Sequence, residues 1–207
     1  MGGVSSPSDK LEDLQFSDEE ILAIVDETTR RRTYVMAHAY TSQAISRVVK
    51  LGVRCIEHGN YLDDESAVVM KDAGAYLSQT LITYQALLSQ GEKCGMPQEQ
   101  VQKVGDLVTA GMNSVACAKR HGVPVTYGSD LLGAMRVQQL SGFSLLLDSG
   151  FTPKEALDTA TKNAAELVAN GAGVVLHRSL IQSLMLILIP IWRPFKKGLH
   201  AIWLYSM

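Results

Sequence analysis

The chain has 207 residues, a formal net charge of −2 and 46% hydrophobic residues, a composition that suits one sizeable core in water. No extended Lys/Arg stripe is present to neutralise phosphates, which argues against a nucleic-acid partner. Cys55, Cys94 and Cys117 are widely spaced and odd in number, so neither a disulfide framework nor a metal knuckle is expected, and a reducing, cytoplasmic setting is the simpler reading.

The amino-terminal "MGGVSSPSDKLEDLQ" is polar, so no secretory signal is expected. In "FSDEEI", Ser17 is a helix N-cap and Glu20 its capping-box partner, with Phe16 and Ile21 placed as a hydrophobic staple. That helix is predicted to run to about Arg32. Thr33 to His38, "TYVMAH", reads as a short buried strand, followed by the helix "TSQAISRVVKL" with Ala44, Ile45, Val48 and Val49 on one face. Gly52 to His58 is a second strand, and Asp63 caps a helix to about Ala73.

Ala75 to Leu81 is a third predicted strand. Thr83 to Met96 reads as a longer polar loop leading to a helix from about Pro97, where Val101, Val104, Val108, Val115 and Ala118 keep helical spacing. Gly122 to Asp130, "GVPVTYGSD", is the fourth strand. Helices are expected from about Met135 and from Thr152, where "TPKEAL" is a second capping box with Pro153 at the first helical position.

The far carboxyl-terminal segment is different in kind. Ser179 to Trp192 carries no charge, is followed by Arg193, Lys196 and Lys197, and contains Pro190. It is shorter than the ~20 apolar residues a membrane span needs; a peripheral membrane contact is the most it suggests.

Helix–strand alternation with short connections implies parallel strands, either a doubly wound sheet or a run of βα units from a (β/α)8 barrel. No GxGxxG or GxxxxGK[ST] follows a strand, so a nucleotide sheet has little support. In either architecture the carboxyl ends of the strands form the functional face. His38, His58 and Asp130 fall there, a donor set that suits Zn²⁺ or a similar divalent ion, with Asp130 also able to take a proton from water. A lone strand-end histidine is more often a hydrogen-bonded structural residue, and both readings stand at this point. Glu57 precedes His58 and is expected to point away as a structural partner. His121 belongs to the opposite rim, His177 and His200 to the tail, and the cysteines read as small apolar fillers. Tyr40, Tyr84 and Arg136 fall near the expected rim, where packing and substrate contact are equally open to them.

The stretches "HAYT", "IEHGNYLDDE", "VTYGSD" and "GFTPKEALDTATKNAAEL" match in order and spacing a known pattern over roughly Gly2 to Leu167. They resemble the metal-dependent amidohydrolase superfamily, in particular its imidazolonepropionase-like and Xaa-Pro-dipeptidase-like branches, with the fungal ochratoxin-hydrolysing amidases. The resemblance implies an α/β fold, a partial (β/α)8 barrel in which this chain supplies strands five to eight. It further implies that His38 and His58 are the strand-five and strand-six metal ligands. Asp130 would be the strand-eight aspartate that binds metal and shuttles the proton. The implied reaction is hydrolysis of a carbon–nitrogen bond in a small amide, cyclic amide or peptide-like substrate by metal-activated water, with zinc as the first choice of metal.

The chain also departs from that pattern. It contains no HxH motif, and the bridging lysine that precedes a "GGV" segment like Gly2-Gly3-Val4 is absent. Residues 1–170 are the amidohydrolase-related unit; residues 171–207 are an unrelated apolar tail that reads as an altered frame or unspliced sequence. Half a barrel leaves unpaired strand edges, which favours oligomers. The expected behaviour of the isolated chain is weak metal affinity and little or no amidase activity. The competing reading is a non-catalytic remnant that persists as a binding or assembly partner.

Overall fold

The computed structural model describes residues 1–4 and 9–172, and the apolar tail from residue 173, with His177 and His200, lies outside the described residues. The first helix, α1 (Asp18–Arg30), starts as its sequence requires. The Ser17 hydroxyl accepts from the Glu20 amide, and Glu20 accepts from the Ser17 amide at 2.7 Å. The staple does not form: Ile21 is buried, but Phe16 is exposed with φ of 67°.

Then βα units follow one another: β1 (Met36–Thr41), α2 (Ser42–Lys50), β2 (Cys55–Tyr61), α3 (Asp64–Ala73) and β3 (Tyr76–Gln79). Three helices, α4 (Leu81–Gln90), α5 (Gln98–Lys103) and α6 (Leu107–His121), lead to β4 (Val125–Tyr127). A 3₁₀ segment, Gly133–Ser141, precedes α7 (Gly142–Asp148), α8 (Pro153–Ala160) and α9 (Lys162–Ala172). The Thr152 and Glu155 capping box opens α8 as expected.

The described strands form one parallel sheet in the order β1-β2-β3-β4. Spatial order follows chain order with no reversal, which is how strands succeed one another around a βα barrel. A doubly wound sheet would reverse at a switch point. The ladder pairs Ala37 with Ile56, Ile56 with Leu77 and Leu77 with Val125. The last three are buried in the core. Helix α2 adds Ala44, Ile45, Val48 and Val49 to that core, and α6 adds Val115 and Ala118. Because side chains alternate along a strand, the row His38, Glu57, Ser78 and Thr126 takes the opposite face. One face is therefore apolar and the other carries the polar chemistry.

Three expectations need correction. β1 begins at Met36 and runs past His38 to Thr41, because its ladder with β2 continues to Thr41 opposite Tyr61 across a bulge. The polar loop expected from Thr83 is mostly helix α4. Its Leu81, Ile82, Tyr84, Ala86 and Leu87 are buried, and a helix buried on most sides shows no amphipathic period to read. The single helix expected from Pro97 is two, broken at Gly105–Asp106. Lys119 ties α6 to α8: its ammonium donates to the Gly150 carbonyl, pairs with Glu155 at 2.7 Å and lies over the Phe151 ring.

Gly59, in the β2 bulge, has φ of 58°, and a Cβ there would stand 2.4 Å from Leu77 Cδ1 in the core. Gly59→Ala combines left-handed strain with overpacking, so a loss of about 2 kcal/mol is expected. Urea unfolding checks it: the midpoint should fall with the slope unchanged.

Candidate metal centre

β1 and β2 bring His38 and His58 together. His38 Nδ1 lies 2.7 Å from His58 Nε2, and the rings stack with centroids 4.9 Å apart. This contact is not what a regular pleat delivers. His58 pairs with Ala39 rather than His38 in the ladder, which would send its ring to the helix-covered face. Instead His58 has φ of 75°, and the register slips between Ala39 and Thr41. A bulge of this kind re-aims side chains, and here it turns His58 onto His38.

The two rings sit in different surroundings. His38 is exposed, whereas His58 is buried. Burial, then the neighbouring His38 and the Met1 ammonium, push the His58 pKa down to about 3. His58 is thus a neutral imidazole at neutral pH, with a nitrogen lone pair available. Its Nδ1 lies 2.7 Å from the Thr80 hydroxyl, and Thr80 in turn donates to Tyr84 Oη at 3.5 Å. The Tyr40 ring stacks on His58 at 4.9 Å, and Tyr84 meets it edge-on. Burial pushes the Tyr40 hydroxyl up to about 12 and raises that of Tyr84 further, so both are neutral donors.

Asp130 follows β4 by three residues and is the other strand-end candidate with a left-handed backbone, φ of 46°. Among the described residues, four that are not glycine adopt positive φ, and His58 and Asp130 are two of them. The Asp130 carbonyl accepts from the Thr83 hydroxyl at 2.9 Å, which ties the loop to α4. Loss of solvent raises the carboxyl pKa, and the charge of His38 opposes that rise. Asp130 therefore shares an electrostatic environment with His38. It does not close a group of three ligand atoms within 4.8 Å around the histidine pair.

The remaining candidates separate cleanly. Glu57 accepts from the Cys55 thiol at 3.2 Å, a structural partner within β2. Arg136 is exposed in the 3₁₀ segment. Among the described residues one trio of potential ligands does lie within 4.8 Å: Asp64, Cys117 and His121, between α3 and α6. A single Asp64 oxygen accepts from all of Cys117, Arg120 and His121. Hydrogen bonds from His121, Cys117 and Arg120, in that order, hold the carboxyl down to about 2. Its geometry is accounted for as a helix–helix joint. A cavity of about 330 Å³ lined by Val35, Gly52, Arg54 and Tyr76, among others, lies at the amino ends of the strands and holds none of the three candidates. In βα barrels that end serves stability rather than chemistry.

Of the three residues expected from the sequence, His38 and His58 come together and Asp130 stands apart from the pair; the sequence does not single out Thr80 and leaves Tyr40 and Tyr84 undecided. Thr80 falls inside the third predicted strand, Ala75 to Leu81, whereas that strand ends at Gln79 and puts Thr80 at the same rim as the other strand ends. Nothing in its spacing links it to a histidine on a different strand.

A parallel sheet in sequential order, with imidazoles and a carboxylate at its carboxyl rim, is the arrangement that successive βα units produce. Comparison with known proteins makes that specific. The sequence profile of the Amidohydrolase family matches residues 2–175, and the chain belongs to that family. It is 32% identical over 165 residues to ochratoxinase of Aspergillus niger, covering 79% of this chain and 34% of that protein. The crystal structure of A. niger ochratoxinase superposes with a TM-score of 0.70 at 29% identity, over 84% of this chain and 38% of that one. A prolidase crystallised with N-methylphosphonate-L-proline superposes with a TM-score of 0.79 at 45% identity, over 84% of this chain and 43% of that one. The chain thus spans roughly a third to two fifths of the length of these relatives.

The amidohydrolase family generally uses divalent metals, and the residues here fit one. Two imidazole nitrogens face each other, one of them on the neutral His58, and a carboxylate stands at the same rim. Imidazole and carboxylate donors suit zinc and its neighbours. Binding requires the two nitrogens to exchange their mutual hydrogen bond for the ion, and the exposed His38 has room to yield.

The depressed His58 pKa carries a pH consequence. The unfolded imidazole takes a proton near pH 6.5 and the folded one only near 3, so the unfolded state binds more protons in between. Stability therefore falls as pH drops from about 6.5 toward 3. Chelator-treated protein unfolded in urea across that range should show this loss, and His58→Gln should show a shallower slope.

Proposed function

We propose that this chain carries part of the metal centre of an amidohydrolase that cleaves carbon–nitrogen bonds in small amide or peptide-like substrates. In this reading the described strands are strands five to eight of a (β/α)8 barrel. His38 and His58 are metal ligands, and Asp130 is both a ligand and the group that moves the proton. One observation carries it: two imidazoles on adjacent strands face each other through Nδ1 and Nε2 at 2.7 Å, an arrangement reached only through a left-handed backbone at His58. Backbone strain of this kind costs ~1–3 kcal/mol and concentrates where function holds it.

A bound divalent ion would act as a Lewis acid and lower the pKa of water at neutral pH. The chain's own residues do the rest. The buried, neutral His58 keeps its lone pair free of protons at working pH. The raised Asp130 carboxyl is suited to hold a proton briefly and pass it to a leaving nitrogen. Tyr40 and Tyr84 stay protonated and wall the histidine pair on one side. The proline-bearing phosphonate bound by the similar prolidase supports a dipeptide or acyl-proline substrate as the first to test.

Two assays test this. Zinc titration followed by calorimetry should show binding that weakens at least tenfold in His38→Ala and in His58→Ala. Absence of any binding overturns the metal reading. Hydrolysis of N-acyl-L-proline by the zinc-loaded chain should be slow or undetectable, because the ligand set here is partial. Robust turnover by the chain alone overturns the assignment to half of a site.

A further inference from the structure

Thr80 occupies the N-cap position of α4, where a threonine hydroxyl ordinarily accepts from the backbone two or three residues on. It makes no such bond. The Leu81 amide is met instead by the Gln79 side-chain oxygen at 3.0 Å. The Thr80 hydroxyl is left for two other partners, His58 Nδ1 at 2.7 Å and Tyr84 Oη at 3.5 Å. Thr80, His58 and Tyr84 are all buried, so water cannot substitute for either contact at low cost.

A hydroxyl has one proton. If Thr80 gives it to Tyr84, it faces His58 only with lone pairs, and Nδ1 of His58 must carry the hydrogen. Tyr40 and Tyr84 both pack their rings on His58, at centroid distances of 4.9 and 6.2 Å. The series Nδ1–H to Thr80 and Thr80 to Tyr84 then runs in one direction with each proton used once. Its end result is a bare Nε2 on His58, the atom that faces His38.

We propose that Thr80, backed by Tyr84, is a positioning residue that fixes His58 as the Nδ1–H tautomer and so presents Nε2 as a metal ligand. The proposal rests on the metal reading of the histidine pair. It adds a buried hydroxyl relay that neither the sequence pattern nor the family match assigns. Without the relay, His58 is free to place its hydrogen on Nε2, where it blocks binding. Partners that orient ligating histidines typically change metal affinity by about 10- to 100-fold when removed.

Imidazole ¹⁵N NMR on the metal-free chain at neutral pH, then zinc titration, separates the possibilities for wild type, Thr80→Ser and Thr80→Val. Wild type and Thr80→Ser should show His58 protonated on Nδ1 and bind zinc within about threefold of each other. Thr80→Val, nearly isosteric, should show hydrogen on Nε2 and lose about 10- to 100-fold in zinc affinity. Tyr84→Phe removes the acceptor of the Thr80 proton and should give a mixture of tautomers, so a poorly folded Thr80→Val leaves the proposal testable. His38→Ala should keep the Nδ1–H form; a switch to Nε2–H there would assign the tautomer to His38 instead. A Thr80→Val protein that retains the Nδ1 hydrogen overturns the relay. If wild type itself binds no zinc, the metal reading falls, and the tautomer comparison still decides the relay.

Discussion

The left-handed backbone at His58 is the constraint on which the rest of the site depends. Regular pleating would bury its ring among Ile56, Leu77 and the helices. With φ of 75°, it swings to the polar face and meets His38. That strain persists because the neighbouring bulge is held on both sides. Ser114 donates to the Gly59 carbonyl at 2.6 Å, and the Asn60 amide donates to the Leu107 carbonyl at 2.8 Å. Both anchors come from α6, which can approach only because Gly111 has no side chain: a Cβ there would stand 2.6 Å from Leu81 and 2.9 Å from Asn60. Small residues on a distant helix thus set the direction of an imidazole on a strand.

Electrostatics follows from that placement. Burial and proximity to His38 keep His58 neutral, while loss of solvent keeps Tyr40 and Tyr84 protonated. Asp130 is the carboxylate of the proposed set, and it stands at the open rim where charge is tolerated. Neutral donors inside and a carboxylate at the edge are what a low-dielectric pocket permits before an ion arrives. The polar row His38, Glu57, Ser78 and Thr126 faces away from the helices. β1 and β4 each pair with one neighbour among the described strands. The matched stretch covers 34% of A. niger ochratoxinase and 43% of the prolidase, so both relatives are substantially longer than this chain.

Much of this was legible in the residues. The two capping boxes, the Asp63 cap of α3 and the apolar stripe of α2 each follow from local rules, and the structure has them where those rules put them. His38, His58 and Asp130 were legible as strand-end residues, although His38 lies within its strand and Asp130 beyond its own. What was not legible depends on three dimensions. Helix α4 is buried on most sides, so its sequence has no polar period to betray it. The bulge at Gly59 and Asn60 depends on α6, some 50 residues later. Thr80 reads as part of a strand in sequence, and only the folded α4 shows the cap bond it declines to make.

The contrast between the histidine pair and the Asp64, Cys117 and His121 trio separates the proximity of ligand atoms from their readiness to take an ion. The trio has three chemically suitable donors within 4.8 Å, yet its exposed carboxylate is already satisfied, with Arg120 supplying the positive charge an ion would bring. Cys117 is itself a donor to that oxygen, and burial lifts its thiol to about 11, far from the thiolate a metal needs. Binding there would have to break an ion pair and strip a proton. The pair at His38 and His58 offers fewer ligands, but one partner is held neutral, and strained backbone is spent on their alignment. A site is better recognised by what its surroundings hold ready than by how many ligand atoms fall inside a sphere.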